Sequence, residues 1–233
     1  SFDHAGPSFV ETLQGTGMPK RVAFSPDLSI VSMEKEIAKV CGGASSIFAD
    51  LGAEVTDDIP DFTGVLEAFQ TLRAVLFATM IGPILLKHRD QIAPEIIGNI
   101  ELGLRITPSQ IFDAERVRIE LYKKVIAFFE THDFLICPTA SIAPFSVDQR
   151  YVTEIDGKPC ETYIDWFSIT FALTMTACPT ISVPCGFTAE GLPVGIQIMG
   201  KPRGEAALLL AAKRFEQAVG IAKRLPITPQ KII

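Results

Sequence analysis

Long apolar runs are missing from this 233-residue chain. A membrane-spanning helix needs about 18 or more consecutive apolar residues. The longest candidate, residues 74–86, is shorter and contains Gly82-Pro83, so no membrane partner is expected. A basic stripe is missing too: the net charge is −6 and the pI about 5.1. Direct nucleic-acid binding is therefore not expected. The opening Ser-Phe-Asp-His lacks the basic and apolar regions of a signal peptide and has no initiator Met; it reads as the middle of a longer chain. Cysteines number only five and form no C-x-x-C pair. That suits buried thiols in a reducing, cytoplasmic setting rather than a disulfide framework. The three histidines, His4, His88 and His132, are far apart. No metal and no cofactor is expected.

What the chain does have is core. It is 48% hydrophobic with a mean hydropathy of +0.30. This suffices for a sizeable interior and suits a domain with one face covered by something else.

Residues 1–20 read as an irregular lead-in, with 21–233 as the α/β part. Arg21 to Phe24 is a short buried strand stopped by Ser25-Pro26-Asp27. Ser32 reads as the N-cap of a helix ending near Leu51-Gly52, and residues 53–59 as a second strand. Strand–helix–strand of this length predicts a parallel crossover. Residues 61–90 carry a helical pattern that Pro83 interrupts, and 95–104 a shorter helix. Thr107-Pro108 opens a long amphipathic helix to about Thr131. Phe134 to Cys137 is a third strand, ended by Pro138. Residues 141–159 read as loop, with a hairpin turn at Asp156-Gly157. Then come a helix over 164–176, strands over 181–187 and 194–199, and a last helix over 204–219. The fold class predicted is α/β, a mixed, largely parallel sheet flanked by helices.

Several chemistries can be weighed from the residues. There is no Gly-x-Ser-x-Gly elbow. Gly42-Gly43-Ala44-Ser45-Ser46 lies inside a helical pattern and reads as close helix packing. Cys137 or Cys178 with His132 and Asp133 could supply a cysteine hydrolase. Both cysteines sit in apolar stretches, however, where inert thiols are the ordinary case. No complete catalytic set is visible, so no catalytic residue is assigned.

The most informative stretch is Thr174-Met-Thr-Ala-Cys-Pro-Thr-Ile-Ser-Val-Pro-Cys-Gly-Phe187, followed by Gly191-Leu-Pro-Val-Gly-Ile-Gln-Ile-Met-Gly200. It resembles the C-terminal signature of the amidase signature family, which includes amidases and the glutamine-hydrolysing component of glutamyl-tRNA amidotransferase. Arg21–Asp27, Phe134–Thr139 and Gly204–Ala206 resemble further family landmarks, in order. One departure is Ala177, where the family usually has Gly. The resemblance implies part of an amidase-signature fold and hydrolysis of an amide C–N bond by a Ser–Ser–Lys triad. That triad belongs to the N-terminal half of such enzymes and is absent here. The chain is thus read as a C-terminal half, inactive alone, that walls the substrate pocket. Its expected partners are a small-molecule amide and the missing N-terminal half, docked on an exposed apolar face; a homodimer is compatible.

Within this half, Pro138 and Thr139 end a strand, where α/β sheets place ligands. Ile164, Phe167, Thr170, Phe171 and Thr174 share one helical face by 3-4-3 spacing. The resemblance makes that helix a channel lining; from spacing alone it is equally a core face. Trp166 lies off that face and reads as packing or interface. A second reading stays open, a stand-alone non-catalytic binding or scaffolding module on the same fold.

Overall fold

The structure, a computed structural model, describes residues 8–221. The first part of the lead-in, with His4, lies outside the described residues. Seven strands are assigned among those residues: β1 (Arg21–Phe24), β2 (Glu54–Thr56), β3 (Phe134–Pro138), β4 (Glu154–Ile155), β5 (Lys158–Pro159), β6 (Thr180–Phe187) and β7 (Pro193–Gly200). The α-helices are α1 (Phe9–Thr12), α2 (Lys35–Asp50), α3 (Val65–Met80), α4 (Gly82–His88), α5 (Pro94–Gly103), α6 (Pro108–Phe128), α7 (Ser168–Thr174) and α8 (Glu205–Val219).

Five strands form one sheet in the order β2-β1-β3-β7-β6. β1 pairs parallel with both β2 and β3, while β7 runs antiparallel to β3 and β6. β7 is therefore the one reversed strand of this sheet, which is the mixed, largely parallel sheet expected. The crossover through α2 has a simple cause. β1 is apolar with both central residues, Val22 and Ala23, fully buried, so it needs cover on both faces. β6 and β7 join through Gly191, whose φ of 84° a side chain would resist. The Asp156-Gly157 turn, with φ of 47° and 78°, closes the β4–β5 hairpin as expected.

Each face of the sheet has its own core. On one side α2 and α8 pack on Val22, Ile136, Val183 and Ile196, with Phe48 stacked on Phe215 at 5.3 Å. On the other side α3, α6 and α7 pack on Ala23, Leu135, Cys137 and Met199. β6 contributes no buried residue to this second core. Its Thr180, Ser182 and Pro184 face outward exposed, while Val183 and Cys185 are buried. Among the described residues, one sheet face is thus covered as far as β7 and open at β6.

Local details depart from the sequence reading for tertiary reasons. α2 is capped at Glu34, not Ser32. Glu34 donates its N–H to Ser141 O at 2.9 Å, and its carboxylate accepts from Ala143 N at 2.9 Å, so the 141–143 segment fixes the helix start. β2 covers only Glu54–Thr56, because β1 offers it three paired positions. The lead-in holds one capped turn, α1, with Ser8 and Glu11 bonding reciprocally. Lys213 Nζ and Arg214 Nη2 donate to Leu13 O and Gly15 O at 2.7 and 2.8 Å, which straps this segment to α8. The helix interruption expected at Pro83 falls between α3 and α4, and the Thr107–Gln110 capping box starts α6. No helix among the described residues is long and apolar enough to cross a membrane.

Candidate functional site

The parallel strands β1 and β3 end on the same side of the sheet. There β3 delivers Pro138 and then Thr139. Pro138 is buried, and its carbonyl accepts from Gln197 Nε2 at 2.9 Å. Thr139 continues the pairing with β7 through its N–H to Gly195 O at 3.0 Å. Its Oγ1 lies 2.7 Å from Ser182 Oγ on β6, and its carbonyl accepts the Thr170 hydroxyl at 2.5 Å. One turn on, the Thr174 hydroxyl donates to Thr170 O at 3.3 Å and is exposed. Gly195 makes room for this crest. A Cβ there would stand 3.1 Å from Thr139 Oγ1 and 3.3 Å from Ser182 Oγ. A row of hydroxyls therefore runs from β3 to α7, beside the open face of β6.

The seven residues singled out in the sequence divide in the structure. Pro138, Thr139, Thr170 and Thr174 come together, with Ser182 and Gln197 added. Ile164 and Phe167 do not join them through one helical face, because the segment is not one helix, and Phe171, although on α7 with Thr170 and Thr174, is buried in the core. Asp165–Phe167 is a 3₁₀ turn and α7 begins at Ser168, so the 3.6-residue period does not run back to Ile164. Ile164 is buried before that turn. Phe171 stacks on Phe69 of α3 with centroids 4.0 Å apart, and Phe167 lies edge-on to Phe171 and Trp166 at 6.0 and 4.8 Å. Phe171 also borders a cleft of about 530 Å³ with Gln70 and Ser168. Trp166, read from spacing as packing, packs edge-on against Phe145 at 5.5 Å. It also lines a cavity of about 380 Å³ with Thr139, Ala140 and Gly195.

Other chemistries lose their footing here. His132 and Cys137 stand at opposite ends of β3, five residues or about 16 Å apart at strand spacing. His132 bonds Thr56 Oγ1 at 3.1 Å, and Asp133 accepts from the N–H groups of Lys20 and Arg21 at 2.6 and 3.1 Å. Burial pushes the Cys137 thiol up, and burial likewise raises Cys178, the opposite of what a thiolate nucleophile needs. Ser45 and Ser46 donate back to Gly42 O and Gly43 O at 2.8 and 2.7 Å. The glycines of that run do not mark close packing: a Cβ at Gly43 would meet nothing within 4 Å, and at Gly42 only Phe24 at 3.7 Å. Among the described residues no group of three or more His, Cys, Asp or Glu is placed to hold a metal ion.

The model of the amidase family matches residues 2–209. The chain belongs to the amidase signature family. It is 29% identical over 229 residues to an acylamidase of Rhodococcus erythropolis, covering 97% of this chain and 48% of that protein. It is 28% identical to the A component of the glutamyl-tRNA(Gln) amidotransferase of Alkaliphilus metalliredigens, covering 85% and 40%. Among solved structures, a bacterial aryl acylamidase of this family superposes with a TM-score of 0.81 at 23% identity, covering 93% of this chain and 47% of that one. A 6-aminohexanoate cyclic dimer hydrolase superposes equally well, at 0.81 and 20% identity, covering 96% and 50%. The chain spans about half the length of these relatives or less.

Within this amidase-signature frame, Ala177 occupies the turn between α7 and β6 with φ of 54°. That left-handed geometry costs a residue with a Cβ about 1–2 kcal/mol. Ala177 is exposed, so its methyl has little packing to lose. Ala177→Gly is expected to raise stability by about 1 kcal/mol, or roughly 2–4 °C in Tm. A thermal melt that is unchanged or lower would contradict this.

Proposed function

We propose that this chain is the part of an amidase-signature hydrolase that walls the substrate pocket and completes the fold. The Ser–Ser–Lys triad that the family resemblance implies comes from residues outside it, and alone the chain does not cleave amides. The observation that carries the reading is the hydroxyl crest of Thr139, Thr170, Thr174 and Ser182 at the carboxyl end of β3. It holds no lysine and no activated nucleophile, yet it lies where open α/β sheets bind ligands. It also flanks the outer face of β6, which the described residues leave uncovered. Its groups are neutral donors and acceptors, suited to a linear amide and its substituents.

The docking surface on this reading is the polar outer face of β6, not an apolar one. Among the described residues, the large exposed apolar side chains lie elsewhere, among them Leu76 and Met80 on α3, Ile84 on α4, Leu102 on α5, and Phe112 and Ile119 on α6. The setting we infer is cytoplasmic, on the cysteine usage. The test is complementation. The purified chain should show no amide hydrolysis, and a triad-bearing half supplied in trans should restore it on a panel of linear amides. Replacing the triad serine by alanine should abolish it again. A folded complex inert across the panel would favour the non-catalytic module instead.

A further inference from the structure

A second cleft lies between α3, α5 and residues 151–163, with a volume of about 540 Å³. Most of its polar groups are spoken for. Gln70 Nε2 donates to Thr162 Oγ1 at 3.3 Å, and Thr162 Oγ1 donates to Asp165. Glu95 is paired with Arg150 at 2.7 Å, and Glu161 is exposed at the rim. Two groups stand out. Asn99 lines the cleft at 8% exposure, and its amide nitrogen is buried with no hydrogen-bond partner. Buried amides are almost always bonded, and leaving one unpaired is costly. Arg73 also lines the cleft. Its guanidinium lies over the Phe77 and Tyr163 rings, at 4.6 and 5.3 Å from their centroids, and donates to the Tyr163 hydroxyl. None of the described carboxylates forms an ion pair with it. A half-buried guanidinium over two rings, with one hydrogen bond to a hydroxyl, has further donors to offer a planar acceptor.

We propose that this cleft binds a carboxylate, with Arg73 as its charge partner and Asn99 as a second donor. The proposal deepens the amidase reading, on which the carboxylate is the distal end of the amide substrate. The cleft shares Gln70, Cys160, Glu161 and Thr162 with the neighbouring cleft that reaches Ser168 and Phe171. One extended ligand can therefore lie along both. Of the acids lining this cleft, Glu95 is paired with Arg150 and Glu161 is in solvent; Asp165, in the neighbouring cleft, accepts from the Glu161 and Thr162 N–H groups and the Thr162 hydroxyl.

The test is direct binding to the full chain by titration calorimetry at constant ionic strength, with no turnover required. Glutaramate, the monoamide of glutaric acid, is compared with its neutral twin glutaramide. The acid should bind at least about tenfold more tightly. Arg73→Met should weaken the acid by about 10- to 100-fold and leave the neutral twin near its original affinity, with Arg73→Lys between. Asn99→Leu should weaken the acid while raising Tm, because it removes an unpaired buried amide. Equal affinity for the two probes, no binding of the acid, or an acid preference that survives Arg73→Met would overturn the proposal. The complementation assay is separate: amide hydrolysis without an acid preference removes only this site, and acid binding without hydrolysis removes only the amidase reading.

Discussion

Gly103→Ala is expected to cost the fold about 3 kcal/mol or more and to lower Tm by roughly 6–12 °C. Gly103 is the last residue of α5, and a Cβ there would stand 2.0 Å from Ala74 O, 2.6 Å from Ala74 C and 2.8 Å from Ala78 Cβ. Two of these atoms are backbone in the middle of α3, and Ala74 is fully buried. No rotamer change can relieve such an overlap, so the helices must part. In a typical domain of 5–15 kcal/mol this is a large fraction of the total. Gly98→Ala in the same helix is the control. Nothing lies within 4 Å of a Cβ there, so helix propensity alone should leave Tm equal or slightly higher. If the two variants melt together, the close α3–α5 crossing is wrong. Its consequence also reaches the second cleft. Arg73 precedes Ala74 on α3, and Asn99 lies one turn before Gly103 on α5, so the same crossing sets the distance between the two donors.

The sheet was legible because its signals are local. Arg21–Phe24 and Phe134–Cys137 are short apolar runs stopped by Ser-Pro or Pro, and the segment after the first carries a helical period. What lies beyond local pattern was not legible. Nothing in residues 32–36 says that the 141–143 segment will claim Glu34 and move the helix start two residues on. The split of 164–174 into a 3₁₀ turn and α7 was hidden for the same reason: a regular 3-4-3 spacing is also met by a segment that changes pitch. The candidate site shows both sides. Pro138-Thr139 announces itself by ending a strand, but Ser182 reads as an ordinary alternate position of a strand. Asn99 reads as an ordinary polar position of a short helix, and only its burial without a partner makes it a question. Gln197 did leave a trace. It is the one polar side chain in Val-Gly-Ile-Gln-Ile-Met, and a polar residue at a core position of a strand calls for a buried partner.

That partner is the basis of the second large effect. Gln197 is 3% exposed, with Nε2 2.9 Å from Pro138 O and 3.6 Å from Cys137 Sγ. It ties β7 to the residue that positions Thr139. Gln197→Leu keeps the volume and removes the donor, so stability should fall by about 1–3 kcal/mol. In the completed enzyme, on the proposed reading, kcat/KM should fall by about 100-fold, because a shift near 1 Å in a pocket wall costs rate on that order. Destabilisation alone could mimic a small loss, so Phe215→Leu serves as the comparison. It trims the core on the far side of the sheet, where Phe215 stacks on Phe48, and should lower Tm while leaving kcat/KM, measured well below both melting temperatures, within about twofold. If Gln197→Leu loses no more activity than Phe215→Leu, the crest of Thr139, Thr170 and Ser182 is a structural knot and the substrate wall must be sought elsewhere. If it alone loses activity, the hydrogen bond from Gln197 to Pro138 holds the pocket in shape from inside the sheet.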